Sequence, residues 1–112
     1  MDSILDDTFG ALSDPTRRAI IARLREGPAS VRELTEPFSV TQQAISKHIA
    51  ILKRAGLLEH RKEGRILRCF LRPARLAQVS EWVEPYRELW EQPGAFSATH
   101  AAYFLDPASV VS

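Results

Sequence analysis

Hydrophobic and polar residues separate most cleanly in the stretch from Ser39 to Gly56. At about 3.6 residues per turn, its apolar residues fall on one side and its polar residues on the other, which predicts an amphipathic helix. Thr41 is the predicted N-cap, because its hydroxyl can accept from a free amide of the first turn, and Gly56 is the predicted end. The predicted inner face is Ala44, Ile45, His48, Ile49, Ile51, Leu52 and Ala55. The predicted outer face is Gln42, Gln43, Ser46, Lys47, Ala50, Lys53 and Arg54.

Two helices are predicted near the start of the chain. The first covers residues 3–12, where Ile4, Leu5, Phe9 and Leu12 share a face. Asp14 and Pro15 predict the start of the second, since Asp caps free amides and Pro suits the first helical position. The second helix, which Gly27-Pro28 should end, is expected to bury Ala19, Ile20, Ile21 and Leu24. It is expected to expose Arg17, Arg18, Arg23 and Arg25.

A short third helix is predicted just before the strongest one. Ser30 and Glu33 have the spacing of a capping box, and Pro37 should end the helix after about Glu36. A tight turn then leads to Thr41. Two helices joined by so short a turn indicate a helix-turn-helix.

After Gly56 the hydrophobic period changes to two, which predicts strands. Segments 57–62 and 65–71 flank Glu63-Gly64, a hairpin signal in which glycine supplies the turn. Leu67, Cys69 and Leu71 are the residues expected to face the core. A hairpin in this position is a wing, so the predicted fold is mainly α with a small β-hairpin, a winged helix-turn-helix.

A long final helix is predicted from Ala74 to Gln92, with a bend at Pro85 because proline removes one backbone hydrogen bond. Its apolar stripe consists of Leu76, Val79, Trp82, Val83, Tyr86, Leu89 and Trp90. A domain this small has no spare core to cover so much aromatic surface, so part of the stripe is predicted to meet a partner. Residues 1–92 are interpreted as one winged helix-turn-helix domain, and 93–112 as a C-terminal extension with a short helix and a tail.

Composition narrows the class of protein. The chain has 112 residues, a single cysteine and a net charge of +1. No apolar run is long enough to span a membrane, and the acidic start does not resemble a signal peptide, so a cytoplasmic location is expected. The charge is unevenly distributed, with nine Lys or Arg against two acids in residues 40–75 and six against twelve elsewhere. Such segregation is typical of a nucleic-acid-binding surface.

The predicted outer face of the Thr41–Ala55 helix suits a DNA major groove. Amides can pair with adenine, lysine can reach guanine or phosphate, and serine adapts to either. Cations around the predicted hairpin suit phosphates or the minor groove. The predicted DNA-binding residues are Thr41, Gln42, Gln43, Ser46, Lys47, Arg61, Lys62, Arg65 and Arg68.

Three segments in sequence order resemble the ArsR family of bacterial winged-helix repressors. They are Phe9-Gly-Ala-Leu-Ser-Asp-Pro-Thr-Arg-Arg-Ala-Ile20, the stretch from Thr41 to Leu58, and Arg61-Lys-Glu-Gly-Arg65. The resemblance covers residues 5–92. It implies repression by blocking a promoter, and a homodimer that binds an inverted repeat and is joined through its first and last helices. On this sequence the implied dimer contacts are Leu5, Phe9, Val79, Trp82, Val83, Tyr86, Leu89 and Trp90.

The chain departs from the metal-sensing members of that family. Those carry a cysteine pair near the third helix, or Asp/His and His/Glu pairs on the last helix, and this sequence has neither. Cys69, His48, His60 and His100 are predicted to lie on different elements, whereas soft metals need several close ligands. A weak site joining two copies of His100, with Glu88 or Glu91, stays open. The sequence is therefore predicted to use neither metal nor cofactor, and the effector is not identified.

Two other functions compete with DNA binding. A winged helix can act as a protein–protein interaction module, in which case the concentrated positive charge would be incidental. Steep weakening of binding with salt would favour DNA instead. An enzyme fits less well, because three scattered histidines and one cysteine offer no nucleophile–base pair.

Overall fold

The computed structural model describes residues 3–91. Contacts divide the chain into one compact unit that extends to Val79 and a second that starts at Ser80. The helices are α1 (Ser3–Ala11), α2 (Pro15–Leu24), α3 (Val31–Thr35), α4 (Gln42–Arg54), α5 (Ala74–Val83) and α6 (Glu88–Glu91). The strands are β1 (Ala29–Ser30), β2 (Leu58–Glu63) and β3 (Ile66–Leu71). No helix among the described residues is long and apolar enough to cross a membrane.

The predicted helix starts are confirmed by their capping hydrogen bonds. The Ala44 amide donates to the Thr41 hydroxyl over 3.1 Å at the start of α4. At α3, the Glu33 amide donates to the Ser30 hydroxyl and the Ser30 amide to the Glu33 carboxylate, which completes the capping box. Asp14 caps α2 by accepting from the Arg17 amide. Each cap satisfies an amide that the first turn of a helix leaves without a partner.

The core lies between the helices and the sheet. Its fully buried side chains include Ile20, Leu34, Ile45, Leu52, Leu57, Leu58 and Cys69. Two residues that were predicted to be buried on helices are not: Ala19 is exposed, and Ile51 is 37% exposed on the flank of α4. Both residues lie at the edge of an apolar arc, where periodicity alone does not decide burial.

A polar network joins α1, α2 and α4. The Arg17 guanidinium donates to the Ala11 carbonyl over 2.6 Å and lies 3.2 Å from His48 Nδ1, which is 4.0 Å from the Asp14 carboxylate. Arg17 was expected to face water, and that expectation is wrong because it satisfies a carbonyl at the end of α1. His48, which was predicted on the inner face of α4, is half-buried there.

The wing is a three-stranded antiparallel sheet in the order β1-β3-β2. Gly64 has φ +64 at the first central position of the two-residue turn, as a type II′ hairpin turn requires. The short β1 was not predicted, since two residues are too few to show a period. Cys69 is buried as expected, whereas Leu67 is 38% exposed, because it pairs with Lys62 near the tip of the hairpin, beyond the core.

The final helix departs from a straight course at Pro85 as predicted, but the prediction of one continuous helix from Ala74 is wrong, because the proline separates two helices. A 3-10 turn, Glu84–Tyr86, separates α5 from α6. Within the second unit, the rings of Trp82 and Tyr86 are 5.5 Å apart, and Arg87 forms ion pairs with Glu84 and Glu91. The predicted helix at 97–105, the tail and His100 lie outside the described residues.

Candidate nucleic-acid interface

The outer face of α4 forms the first part of the candidate interface. Its N-terminal half presents Gln42, Gln43, Ser46 and Lys47, all of them exposed. None of the four makes a side-chain hydrogen bond or ion pair to any other described residue. Ile45, Ile49 and Leu52 fix the helix from its buried side. A rigid helix therefore displays unpaired amide, hydroxyl and ammonium groups, which are the donors and acceptors used at base edges.

The hairpin forms the second part, and its four predicted cations differ in their surroundings. Lys62 and Arg65 are exposed and have no ion-pair partner among the described residues. The Arg61 guanidinium donates to Glu59 over 2.9 Å and lies 4.7 Å from the centre of the Phe70 ring.

Arg68 lies further from the turn than the sequence suggested. It pairs with Arg61 across the sheet, and its guanidinium contacts Glu63 at 3.1 Å and Glu33 at 3.5 Å. Half of the predicted hairpin cations are thus held by acids, which leaves Lys62 and Arg65 as the most available positive charges.

Two acids beside this surface, Glu33 and Glu59, are held in their charged form. Hydrogen bonding to the backbone amide and hydroxyl of Ser30 lowers the pKa of Glu33, and Arg68 lowers it further. The hydrogen bond from Arg61 lowers the pKa of Glu59, with additional help from Arg72. These carboxylates fix the arginines that they contact and add negative charge beside the interface.

Cysteine and histidine chemistry is sparse. Cys69 has no exposed surface, and its burial raises the pKa of the thiol, so it packs as a small apolar side chain. No group of three His, Cys, Asp or Glu within residues 3–91 could hold a metal ion.

One close pair in this region was missed by sequence reasoning. Lys53 Nζ lies 2.7 Å from His60 Nε2 and so joins α4 to β2. The two residues are seven positions apart on different elements. The sequence placed Lys53 on the outer face of α4, but it did not predict that His60 would lie beside it.

Comparison with known proteins identifies the fold. A profile described as a helix-turn-helix domain matches residues 12–61. The transcriptional repressor SdpR of Bacillus subtilis is 30% identical over 79 residues, which cover 70% of this chain and 88% of SdpR. The crystal structure of an ArsR family transcriptional regulator is 38% identical, with a TM-score of 0.72, and the match covers 81% of this chain and 94% of that one. This chain belongs to the ArsR family.

Further ArsR relatives support the assignment. An ArsR-like transcriptional regulator from Rhodococcus sp. RHA1 is 33% identical with a TM-score of 0.68, covering 80% of this chain and 85% of that structure. The arsenic resistance regulator ArsR1 of Pseudomonas putida is 38% identical over 77 residues, which cover 68% of this chain and 57% of ArsR1. As an ArsR protein, the chain is a DNA-binding winged helix-turn-helix regulator of transcription and not an enzyme.

Proposed function

We propose that the protein is a homodimeric repressor that reads an inverted-repeat operator with α4 and contacts adjacent DNA with its hairpin. The observation that carries the proposal is the exposed, unpaired set of polar side chains on a helix that is fixed from behind by the core. A helix of this kind fits the major groove, and a neighbouring cationic hairpin fits the phosphates beside it.

The proposal divides the interface by role. Gln42, Gln43, Ser46 and Lys47 read base edges, with Thr41 at the start of the helix beside them. Lys62 and Arg65 bind phosphates. Arg61 and Arg68 add positive charge, while their acid partners hold the hairpin in shape.

Two sets of apolar side chains support the proposed dimer. Phe9 is 39% exposed on α1, and Trp90 is 52% exposed on α6. The proposed contacts are Leu5, Phe9, Val79, Trp82, Val83, Tyr86, Leu89 and Trp90. A Trp90→Glu variant should sediment as a monomer with weak operator binding, because a dimer would bury its charge. A parent protein that is monomeric at micromolar concentration would contradict the dimer.

We also place the protein in the subgroup that lacks metal sensing. Cys69 is buried, and although it pairs with His60 across β2 and β3, no group of three His, Cys, Asp or Glu within residues 3–91 could hold a metal ion. Zinc, cadmium or arsenite at low micromolar concentration should leave operator binding unchanged. Release of operator DNA by one of these metals from the parent, but not from a His100→Ala variant, would overturn this assignment.

Selection of bound duplexes from a random pool tests the function as a whole. The expected result is an inverted repeat with half-site centres about 10 base pairs apart, the spacing of successive major grooves on one face. Enrichment of no sequence would favour the protein–protein module instead.

A further inference from the structure

A groove separates α4 from the hairpin. It consists of two adjoining hollows of about 450 Å³ and 520 Å³, which share Val31, Ser46 and Leu67. We call it the wing groove. The remaining residues that line the first hollow are Ile49, Ala50, Lys53, Arg54 and His60. Those that complete the second are Ser30, Arg32, Gln42, Arg65 and Ile66.

The charge of the wing groove has one sign. Lys53 and Arg54 line the first hollow, and Arg32 and Arg65 line the second. No acidic side chain is among the described residues that line either hollow. Between the cations, Ile49 and Leu67 provide an apolar surface. An extended anion with an apolar component therefore complements the groove, and the sugar-phosphate backbone of DNA has both properties.

The Lys53–His60 pair has an unmet hydrogen-bonding need. An ammonium group can only donate, so at 2.7 Å His60 Nε2 must accept from Lys53. The proton of the neutral ring then lies on Nδ1, which is buried without a hydrogen-bond partner among the described residues. An anion that draws the Lys53 ammonium away from Nε2 would let the ring place its proton on Nε2 and donate it to the same anion, while Nδ1 changes from a buried donor to a buried acceptor.

We propose that the wing groove holds one strand of the DNA backbone, and that Lys53 and His60 Nε2 together bind a phosphate in it. The inference rests on the proposed function, in which α4 enters the major groove and the hairpin contacts the neighbouring DNA. With α4 in the major groove and the hairpin on the DNA beside it, the strand that borders the major groove must pass between α4 and the hairpin. A phosphate oxygen there accepts from the Lys53 ammonium and from His60 Nε2–H.

The position of the proton on the His60 ring reports this contact directly. Nitrogen NMR of 15N-histidine-labelled protein should show an unprotonated Nε2 in the free protein and a protonated Nε2 when a selected operator duplex is bound. Inorganic phosphate at the same micromolar concentration should leave the Nε2 signal unchanged. A response to inorganic phosphate alone would make the pair a free-phosphate site and overturn the proposal.

Matched variants give a second readout. Lys53→Gln should flatten the slope of log affinity against log salt by about 0.9, the value for one lost phosphate contact on duplex DNA. Arg25→Gln, a cation on the C-terminal side of α2 that does not line the groove, should leave the slope unchanged. His60→Phe keeps a ring but removes both nitrogens, so it should weaken DNA binding by roughly five- to tenfold without lowering the melting temperature.

These experiments distinguish failure of this inference from failure of the proposed function. If the parent binds DNA in a sequence-specific manner while Nε2 stays unprotonated and the Lys53→Gln slope is unchanged, this inference is wrong and the proposed function stands. If the parent binds no DNA, the proposed function is wrong and the inference with it.

Discussion

Arg65 and Arg61 differ in whether they pair with an acid, and the salt dependence of DNA binding can measure that difference. Arg65 is exposed and has no ion-pair partner within residues 3–91, whereas Arg61 donates to Glu59 over 2.9 Å. A cation that binds a phosphate releases counterions, and each such contact contributes about 0.9 to the salt slope. Arg65→Ala is therefore expected to flatten the slope by about 0.9. Arg61→Ala should flatten it by less than half as much, because Glu59 already neutralises that guanidinium.

The slope translates into a measurable loss of salt sensitivity. Between about 50 and 200 mM KCl, a contact worth 0.9 in slope corresponds to roughly a 3.5-fold change in affinity. Fluorescence anisotropy with a labelled duplex over a series of KCl concentrations measures it for the parent and both variants. Both side chains are exposed, so melting temperatures should stay close to that of the parent and serve as the control. Equal slopes for the two variants, or a larger change for Arg61→Ala, would refute the reasoning.

Three further predictions concern stability and reactivity. Gly56→Ala should lower the free energy of unfolding by more than Gly64→Ala does. Both glycines have positive φ, where an alanine costs about 1–2 kcal/mol, but a Cβ at Gly56 also meets Arg75 Nε at 2.8 Å. Urea titration compares them, and an equal or smaller loss at Gly56 would contradict the geometry. Cys69 should react with a thiol reagent only as fast as the protein unfolds, because its thiol is buried with a raised pKa; rapid reaction under native conditions would contradict this. The hydrogen bond from the Arg17 amide lowers the pKa of Asp14 below 3.8. At acidic pH the folded state therefore binds fewer protons than the unfolded state. This contribution to the free energy of unfolding is present above about pH 4 and is lost as the pH falls through the lowered pKa. Asp14→Asn, which keeps a capping oxygen, should lose less stability between pH 6 and pH 3 in urea titrations than the parent, and an equal loss would exclude Asp14 as a source.

The main elements were predictable because their signals are local. Thr41, Ser30 and Asp14 each mark a helix start by a side chain that caps amides a few residues away, and all three caps are present. Gly64 likewise fixes the hairpin through a backbone conformation that favours glycine. Such features need no knowledge of distant parts of the chain.

What the sequence did not predict depends on contacts between distant residues. Arg17 faces the end of α1 and His48 instead of water, and the Lys53–His60 pair appears only when the hairpin packs beside α4. Leu67 keeps the alternation of a strand but pairs with Lys62 near the tip, beyond the core. The sequence also did not predict which hairpin cations form ion pairs, since Arg68 on β3 contacts Glu33 on α3.

Reading of bases by α4 is the central claim, and Gln43 tests it most directly. Gln43 is exposed, caps nothing and makes no side-chain hydrogen bond to any other described residue, so its replacement by alanine should not disturb the fold. Affinities of the parent and Gln43→Ala should be measured by anisotropy on the selected operator and on a random duplex at the same salt concentration. The expected result is a loss of about 1–3 kcal/mol on the operator with little change on the random duplex. An equal loss on both duplexes, or none on either, would contradict base reading by this helix.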